Sequence, residues 1–271
     1  MGKLIKKNTT IHVGIWLTQH HFELVWFNQD KVENNSPHFC RVDINAPNTI
    51  NSTLFEQISN QMEIQRPLEI KWVTAILPHQ VWFKSLLLQH HLNESECDHQ
   101  CRYTLENELP IPLDDLWFDY ITQPLKQGLR LDIFAVRKIV AQSLLIQFLP
   151  LNIKVLDTVV SCLYRAFCYT LQTTPSNHSL LIYQDEQNTI LFRQTQQEWQ
   201  ILSHPSQANL IELYQLFAQR YQQKINDIWL YSQAENIQFH EKYQRITSDI
   251  PLIALGASLW QKNWQQNENG Y

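Results

Sequence analysis

Two short stretches of this sequence carry side chains whose types and spacing could support chemistry. The first is "TLENELPIPLDDLWFDY", residues 104–120, where two carboxylates held in different environments could perform acid–base catalysis. The alternative is that the acids are solvated at a corner between a helix and a strand. We favour the corner, because Asp114 and Asp115 follow Pro112 in a turn and do not alternate along a strand face. The acids of the stretch are Glu106, Glu108, Asp114, Asp115 and Asp119.

The second stretch is "QHHLNESECDHQC", residues 89–101, which combines cysteine with histidine. Cys97 and Cys101 are spaced i and i+4 and would share one face of a helix. His91 could approach from a preceding strand and complete a zinc site. The spacing matches no standard zinc finger, so the sequence predicts no metal, and zinc is kept as the less favoured alternative.

Glycine is scarce in this chain. Only five glycines are present, and no two of them are near each other in the sequence. Loops that cradle phosphates need glycine for positive φ angles and for close approach of backbone N–H groups to the ligand. The chain therefore contains no glycine-rich phosphate loop, and no cofactor is expected.

Composition and charge exclude several classes of function. The formal net charge is −5, and no stripe of Lys and Arg offers the phosphate neutralisation that drives nucleic-acid binding. The most apolar run, "IVAQSLLIQFLPL", is interrupted by Gln142, Gln147 and Pro150, so no membrane helix is expected. The N-terminus shows no secretory signal, and the five cysteines are irregularly spaced. We therefore expect a cytoplasmic protein with reduced thiols.

Hydrophobic periodicity predicts an α/β fold in which one pattern occurs twice. The order strand, strand, strand, helix, strand fits the first third of the chain and again a segment after residue 178. The first copy comprises strands 10–17, 21–28 and 38–44, helix 50–62 and strand 69–77. The second comprises strands 179–184, 188–194 and 198–202, helix 207–222 and strand 227–231. An inserted unit lies between them, with strand 81–88, helix 94–109 and strands 115–122 and 129–136.

These elements predict four regions. Residues 1–79 and 137–172 form a first half, into which a small α+β subdomain, 80–136, is inserted. Residues 173–262 form a second half, with the boundary at the turn-rich "TTPSNH". Residues 263–271 form a polar tail.

The stretch from Leu77 to Tyr120, "LPHQVWFKSLLLQHHLNESECDHQCRYTLENELPIPLDDLWFDY", resembles the cytoplasmic type IV pilus assembly proteins of the PilM family. The likeness lies in a Leu-Pro turn, a strand, a helix that ends in Glu-x-x-Leu-Pro-Ile-Pro-Leu-Asp, and a strand that ends in Asp-Tyr. "IPLIALGASLW" is similar to the C-terminal helix of the same family. The length indicates the short competence branch of ComA-like and HofM-like proteins. The resemblance implies an actin-like fold made of two ribonuclease-H-like halves.

The chain departs from this family at every nucleotide-binding element. The family has Asp-x-Gly in each phosphate-binding turn and a Gly-Gly turn beside the adenine. In the second half, the inserted subdomain that forms one wall of the nucleotide cleft is predicted to be reduced or missing. We therefore expect a degenerate ATPase that is not an enzyme. The degenerate positions are Trp16 and Thr18 in the first element, Tyr183 and Asp185 in the second, and Ser232 and Gln233 in the third.

The resemblance implies a non-catalytic scaffold of a type IV pilus or competence (DNA uptake) machine. Such a scaffold would bind the cytoplasmic N-terminal tail of a PilN-type inner-membrane protein, in a groove between the first half and the inserted subdomain, and so lie at the inner membrane through that partner. Two alternatives stay open, an active actin-like ATPase or kinase-fold enzyme and the cytoplasmic part of a type II secretion platform. The residues predicted to bind the partner are Trp82, Phe83, Leu113, Trp117, Phe118 and Tyr120.

Overall fold

The computed structural model of the chain describes residues 9–27, 36–45, 49–50, 52–54, 56, 68–234 and 236–261. These residues divide into two compact units. The first takes its residues from segments 1–76, 145–174 and 248–271, and the second from segments 77–144 and 175–247. The predicted 80–136 insertion thus shares a unit with most of the predicted second half, whereas 248–261 belong to the first unit. The predicted tail, 263–271, lies outside the described residues.

The described strands and helices follow the predicted periodicity closely. In chain order the strands are β1 (Thr9–Leu17), β2 (His21–Trp26), β3 (His38–Asp43), β4 (Leu68–Ile76), β5 (Trp82–Leu88), β6 (Leu116–Pro124), β7 (Leu129–Arg137), β8 (Ile153–Thr158), β9 (Ser179–Gln184), β10 (Thr189–Gln194), β11 (Trp199–His204), β12 (Asp227–Ser232) and β13 (Gln244–Ile246). The helices are α1 (Glu94–Glu108), α2 (Lys138–Ile146), α3 (Val159–Leu171), α4 (Leu210–Tyr221) and α5 (Leu252–Ser258). Of the predicted helix 50–62, residues 50, 52–54 and 56 are helical, and the remainder lies outside the described residues.

Each unit contains a five-stranded sheet, and the two sheets have the same topology. The first has the order β3-β2-β1-β4-β8 and the second the order β11-β10-β9-β12-β13. In both, the first three strands of the chain segment are antiparallel, and the last two are parallel to the first. The duplicated pattern predicted from the sequence is therefore confirmed at the level of topology.

In the first unit, glycine allows helix α5 to approach its neighbours closely. A Cβ on Gly256 would lie 1.8 Å from the carbonyl oxygen of Cys162 in α3, and one on Gly14 in β1 would lie 1.9 Å from the carbonyl oxygen of Ala254 in α5. No side chain fits at these distances. Two of the five glycines therefore serve backbone packing around α5.

The second unit also contains a three-stranded antiparallel sheet of order β5-β7-β6, which we call the subdomain sheet. Helix α1 begins with a capping box, in which the Asn93 side chain accepts from the Glu96 N–H and the Glu96 carboxylate accepts from the Asn93 N–H. Its buried face, with Cys97, Cys101 and Leu105, packs on the apolar residues of β7. This forms the α+β subdomain that the sequence predicts.

Helix α4 covers the other sheet of the second unit. Residues 205–209, all of them described, connect β11 directly to α4, so no subdomain is inserted there. Phe239 and Tyr243, from the segment after β12, instead pack on Tyr214 and the core beneath α4. No helix among the described residues is both long and apolar enough to span a bilayer.

Candidate functional site

The acids of the 104–120 stretch do not converge on one another. All five are exposed. Glu108 forms an ion pair with Lys84 at 2.5 Å, and the Asp119 carboxylate accepts a hydrogen bond from the Tyr120 N–H at 2.8 Å. Asp114 and Asp115 lie in a short 3-10 turn ahead of β6. This arrangement is that of a solvated corner.

Cys97 and Cys101 lie inside the apolar core of the subdomain, whereas His90, His91 and His99 are exposed. Burial raises the pKa of the Cys101 thiol to about 12, with smaller contributions from Cys97, Asp98 and Asp119. A thiol with so high a pKa is a poor metal ligand and a poor nucleophile. Within the described ranges, no group of three or more His, Cys, Asp and Glu side chains is placed to hold a metal ion.

The turn between β1 and β2, which the sequence resemblance aligns with the first phosphate-binding turn of the PilM family, is closed by hydrogen bonds of its own Thr18. The Thr18 hydroxyl donates to the His21 carbonyl at 2.8 Å and accepts from the His21 N–H at 3.1 Å. Trp16 is buried in β1, where its backbone pairs with Glu23 of β2. The Thr18 hydroxyl thus engages groups of its own turn, and the buried Trp16 indole stands where the sequence resemblance would place the metal-directing Asp.

The turn between β9 and β10, which the resemblance aligns with the second phosphate-binding turn, is closed by the Asp185 carboxylate. One oxygen of the buried Asp185 accepts from the N–H groups of Gln187 and Asn188, at 2.8 and 2.6 Å, and the other accepts from the Tyr183 hydroxyl at 2.8 Å. The Tyr183 ring stacks on Tyr231 with a centroid distance of 5.5 Å. The N–H groups of this turn therefore point at a negative side chain, which disfavours an anionic ligand.

The third degenerate element, at the end of β12, is bonded to the neighbouring strand. The Ser232 hydroxyl donates to the Gln184 side-chain oxygen at 3.1 Å, and the Gln233 N–H donates to the Gln184 carbonyl at 3.1 Å. Gln184 in turn donates to the Ala208 carbonyl at 2.9 Å. Backbone and side-chain hydrogen bonds thus hold the segment that the sequence resemblance aligns with the family's Gly-Gly turn.

The six residues predicted to bind the partner do not lie on one surface. Paired residues of antiparallel strands share a face, and Trp82 and Phe118 both pair with Ala135 of β7, which faces α1. Tyr120 and Leu113 pack against the same core. The structure therefore places these four as partly buried residues of the subdomain core.

Phe83 and Trp117 lie on the opposite face of the subdomain sheet, together with residues that the sequence analysis missed. In register, Phe83 pairs with Phe134, and Trp117 pairs with Val136. Ile121, four residues after Trp117 in β6, lies on the same face. Trp117 and Ile121 are 39% and 53% exposed. We call this set the outer apolar surface; it comprises Phe83, Trp117, Ile121, Phe134 and Val136.

A buried polar network joins the rest of this face to the turn between β10 and β11. Arg130 and Asp132 of β7 are each 1% exposed and form an ion pair at 2.9 Å. Asp132 also accepts from the Ser85 hydroxyl at 2.6 Å and from the Trp199 side chain, and Arg130 donates to the Thr195 carbonyl at 2.5 Å. The network therefore fixes the subdomain sheet against the sheet that follows it in the same unit.

Burial dominates the electrostatics of this network. It raises the pKa of the Asp132 carboxyl, while the hydrogen bonds from Ser85, Arg130 and Trp199 and the charge of Arg130 oppose that rise. A buried charge is tolerated only when it is paired and hydrogen-bonded, as both members of this pair are.

Comparison with known proteins finds similarity in structure and none in sequence. No protein-family model and no curated protein sequence matches the chain. The cytoplasmic domain of EpsL, an inner-membrane component of the type II secretion system of Vibrio cholerae, superposes with a TM-score of 0.54 at 12% identity, over 93% of each chain. The PilM–PilN type IV pilus biogenesis complex superposes with a TM-score of 0.52 at 12% identity, over 79% of this chain and 66% of that one.

A third similar structure is a Bacteroides thetaiotaomicron protein of actin-like ATPase fold and unknown function, with a TM-score of 0.41 at 12% identity, over 86% of this chain and 84% of that one. Identities this low define a fold and not an activity. Together with the two sheets of identical strand order, the likeness to the EpsL cytoplasmic domain and to the PilM–PilN complex gives the chain an actin-like fold of two ribonuclease-H-like halves, with a small α+β subdomain inserted in the sequence of the first half.

Proposed function

We propose that this protein is a non-catalytic cytoplasmic scaffold of a type IV pilus or competence machine. Its partner is the cytoplasmic N-terminal tail of a PilN-type inner-membrane protein, which holds the scaffold at the membrane. The observation that carries this proposal is the outer apolar surface beside the edge strand β6, in a fold shared with a PilM–PilN complex. Exposed apolar patches that include an aromatic anchor are typical of protein–protein contacts.

The hydrogen bonding of the phosphate-type turns supports the non-catalytic part of the proposal. A nucleotide needs free N–H groups, a metal-directing carboxylate and a positioning wall together. Thr18 and Asp185 each accept hydrogen bonds from N–H groups of their own turn, and α4 follows β11 without an inserted subdomain. These features favour a scaffold over an actin-like ATPase or kinase-fold enzyme.

A second candidate function is that of the cytoplasmic part of a type II secretion platform. The match to the EpsL cytoplasmic domain over 93% of both chains favours it. Both candidates are scaffolds on one fold, and they differ in the partner that each would recognise. The partner therefore decides between them.

The test is a pull-down with the full chain immobilised and a panel of synthetic N-terminal tails from PilN-type membrane proteins, each paired with a scrambled tail of the same composition. The proposal predicts that at least one native tail is retained and that its scrambled form is not. Retention of type II secretion components in place of any tail would favour the second candidate. If neither class is retained, the scaffold proposal is wrong.

A further inference from the structure

Among the residues that the structure describes, β6 is an edge strand whose outer side is exposed. It extends over Leu116–Pro124 and lies at one end of the subdomain sheet, paired on its other side with β7. Trp117, Asp119 and Ile121 are exposed on one of its faces. A long exposed edge offers N–H and C=O groups to any extended chain that can lie beside it.

Two observations show which residues of β6 direct their backbone outward. The Tyr120 N–H donates to the Asp119 side chain and so is not directed at β7. Pro124 has no N–H and is tolerated within a strand where that position faces away from the neighbouring strand. Tyr120 and Pro124 are both even-numbered. Because the backbone alternates along a strand, the outward N–H and C=O groups belong to the even-numbered residues, Phe118 and Thr122 included.

The odd-numbered residues of β6 present a distinct pattern to an added strand. Trp117, Asp119 and Ile121 read apolar, acidic, apolar along the outer face, and no ion pair occupies the Asp119 carboxylate in the described part of the chain. Asp114 and Asp115 are exposed at the start of the same strand. An incoming strand is therefore matched in charge when it carries a Lys or Arg opposite Asp119, between two apolar side chains.

We propose that β6 binds its partner by strand addition, and that the partner segment is extended and carries apolar, basic, apolar side chains at alternate positions. This inference rests on the proposed function in taking the partner to be a peptide tail. The backbone of the incoming strand bonds to Phe118, Tyr120 and Thr122, and its cation takes the Asp119 carboxylate from the Tyr120 N–H. That N–H then donates to the added strand.

The same acidic side chains disfavour the binding of a second copy of this chain at β6. If two β6 strands paired antiparallel, Asp119 of each copy would lie near Asp119 of the other, and like charges across a sheet are destabilising. Charged side chains on an edge are a common protection against self-association. The charge on β6 therefore favours pairing with a basic strand and disfavours pairing with another β6 strand.

The test uses designed peptides and the full chain, and does not require the natural partner. The first peptide places Ile, Arg and Ile at alternate positions separated by Thr; a second carries Glu in place of Arg. Two further peptides are N-methylated at one or the other alternate set of backbone amides. Binding is measured by fluorescence anisotropy up to about 1 mM peptide, a range that suits the weak affinity of a short strand.

The expected result is that the Arg peptide binds and the Glu peptide does not. Methylation of one alternate set should abolish binding and methylation of the other should be tolerated, because only one set faces β6. Asp119→Asn should weaken the affinity for the Arg peptide about two- to fivefold, and Asp119→Lys should reverse the preference, so that the Glu peptide binds more tightly than the Arg peptide. Leu216→Asn, at an exposed leucine on α4, is the matched control and should change nothing.

The outcomes separate this inference from the proposed function. Absence of binding by the Arg peptide, or equal effects of the two methylated peptides, overturns strand addition at β6. If a natural tail is nevertheless retained in the pull-down, the scaffold function stands and the tail binds elsewhere. If the Arg peptide binds with the expected preferences and no natural tail is retained, strand addition stands and the identity of the partner is wrong.

Discussion

Removal of the Asp132 side chain should destabilise the second unit more than removal of an exposed charged side chain does. In the Asp132→Ala variant, the Arg130 guanidinium keeps its hydrogen bond to the Thr195 carbonyl and loses its counter-ion, although only 1% of its surface reaches solvent. Ser85 and Trp199 lose their acceptor at the same time. The variant thus leaves one buried charge without its counter-ion and removes an acceptor from two partly buried side chains.

The magnitude follows from this geometry. Breaking a buried ion pair by removing one member costs about 3–5 kcal/mol. For a protein of this size each kcal/mol shifts the melting temperature by about 2–4 °C, so we expect a fall of roughly 6–20 °C. Replacing both members, in Arg130→Met with Asp132→Leu, removes the unpaired charge and should recover more than half of the loss.

The assay is thermal unfolding followed by tryptophan emission, to which Trp199 beside the network contributes. Asp98→Ala is the control, because it breaks the ion pair of Asp98 with Arg102, whose side chains are 46% and 51% exposed. An exposed pair contributes about 0–1 kcal/mol, so the control should melt within about 4 °C of the wild type. A fall no larger for Asp132→Ala than for this control would refute the role given to the network.

Three further predictions test the electrostatics and the nucleotide elements. In Arg130→Met, the Asp132 carboxyl loses the cation that opposes the rise of its pKa. The stability of this variant relative to the wild type should therefore be highest near pH 4 and fall as the pH rises toward 7. A difference in melting temperature between variant and wild type that does not change with pH contradicts this. Burial raises the pKa of Cys40 to about 11 and those of Cys101 and Cys168 to about 12, so iodoacetamide at pH 8 should label these thiols far more slowly in the folded chain than in urea. Rapid labelling of any of the three in the folded chain would count against the packing described. Mg-ATP at about 1 mM should produce no saturable rise in melting temperature, and such a rise would overturn the proposal of a degenerate site.

Much of the fold could be predicted from hydrophobic periodicity. The strands and helices of both halves alternate or repeat clearly, because each buries one face. The strand β13 was not predicted, since it has three residues, two of them exposed, which is too short for a pattern. The order of strands within each sheet depends on contacts between distant segments, and no local pattern encodes it. That part came from the resemblance to a known family.

The candidate site was predicted only in part, because the apolar side chains of "LWFDY" occupy both faces of β6. Strand parity separates them. Leu116, Phe118 and Tyr120 are on the helix side, and Trp117 with Asp119 is on the other. This alternation was available in the sequence, and Asp119 marked the outer face. The contribution of Phe134 and Val136 required the register with β7, which the sequence does not contain.

The nucleotide elements illustrate a different limit. Alignment with the family identified Thr18 and Asp185 as departures. It did not indicate that each closes its own turn, because that depends on the distance from one side chain to the N–H groups two or three residues along.

The central claim is that the outer apolar surface holds the tail of a membrane partner, and a calorimetric titration of that tail tests it most directly. The tail retained in the pull-down is titrated into the wild type, Trp117→Ala and the control Leu216→Ala, which truncates a leucine 53% exposed on α4. Truncation of a central aromatic anchor costs about 2 kcal/mol or more, so Trp117→Ala should weaken the affinity roughly 30-fold while Leu216→Ala leaves it unchanged. Equal affinities for all three proteins would contradict the account.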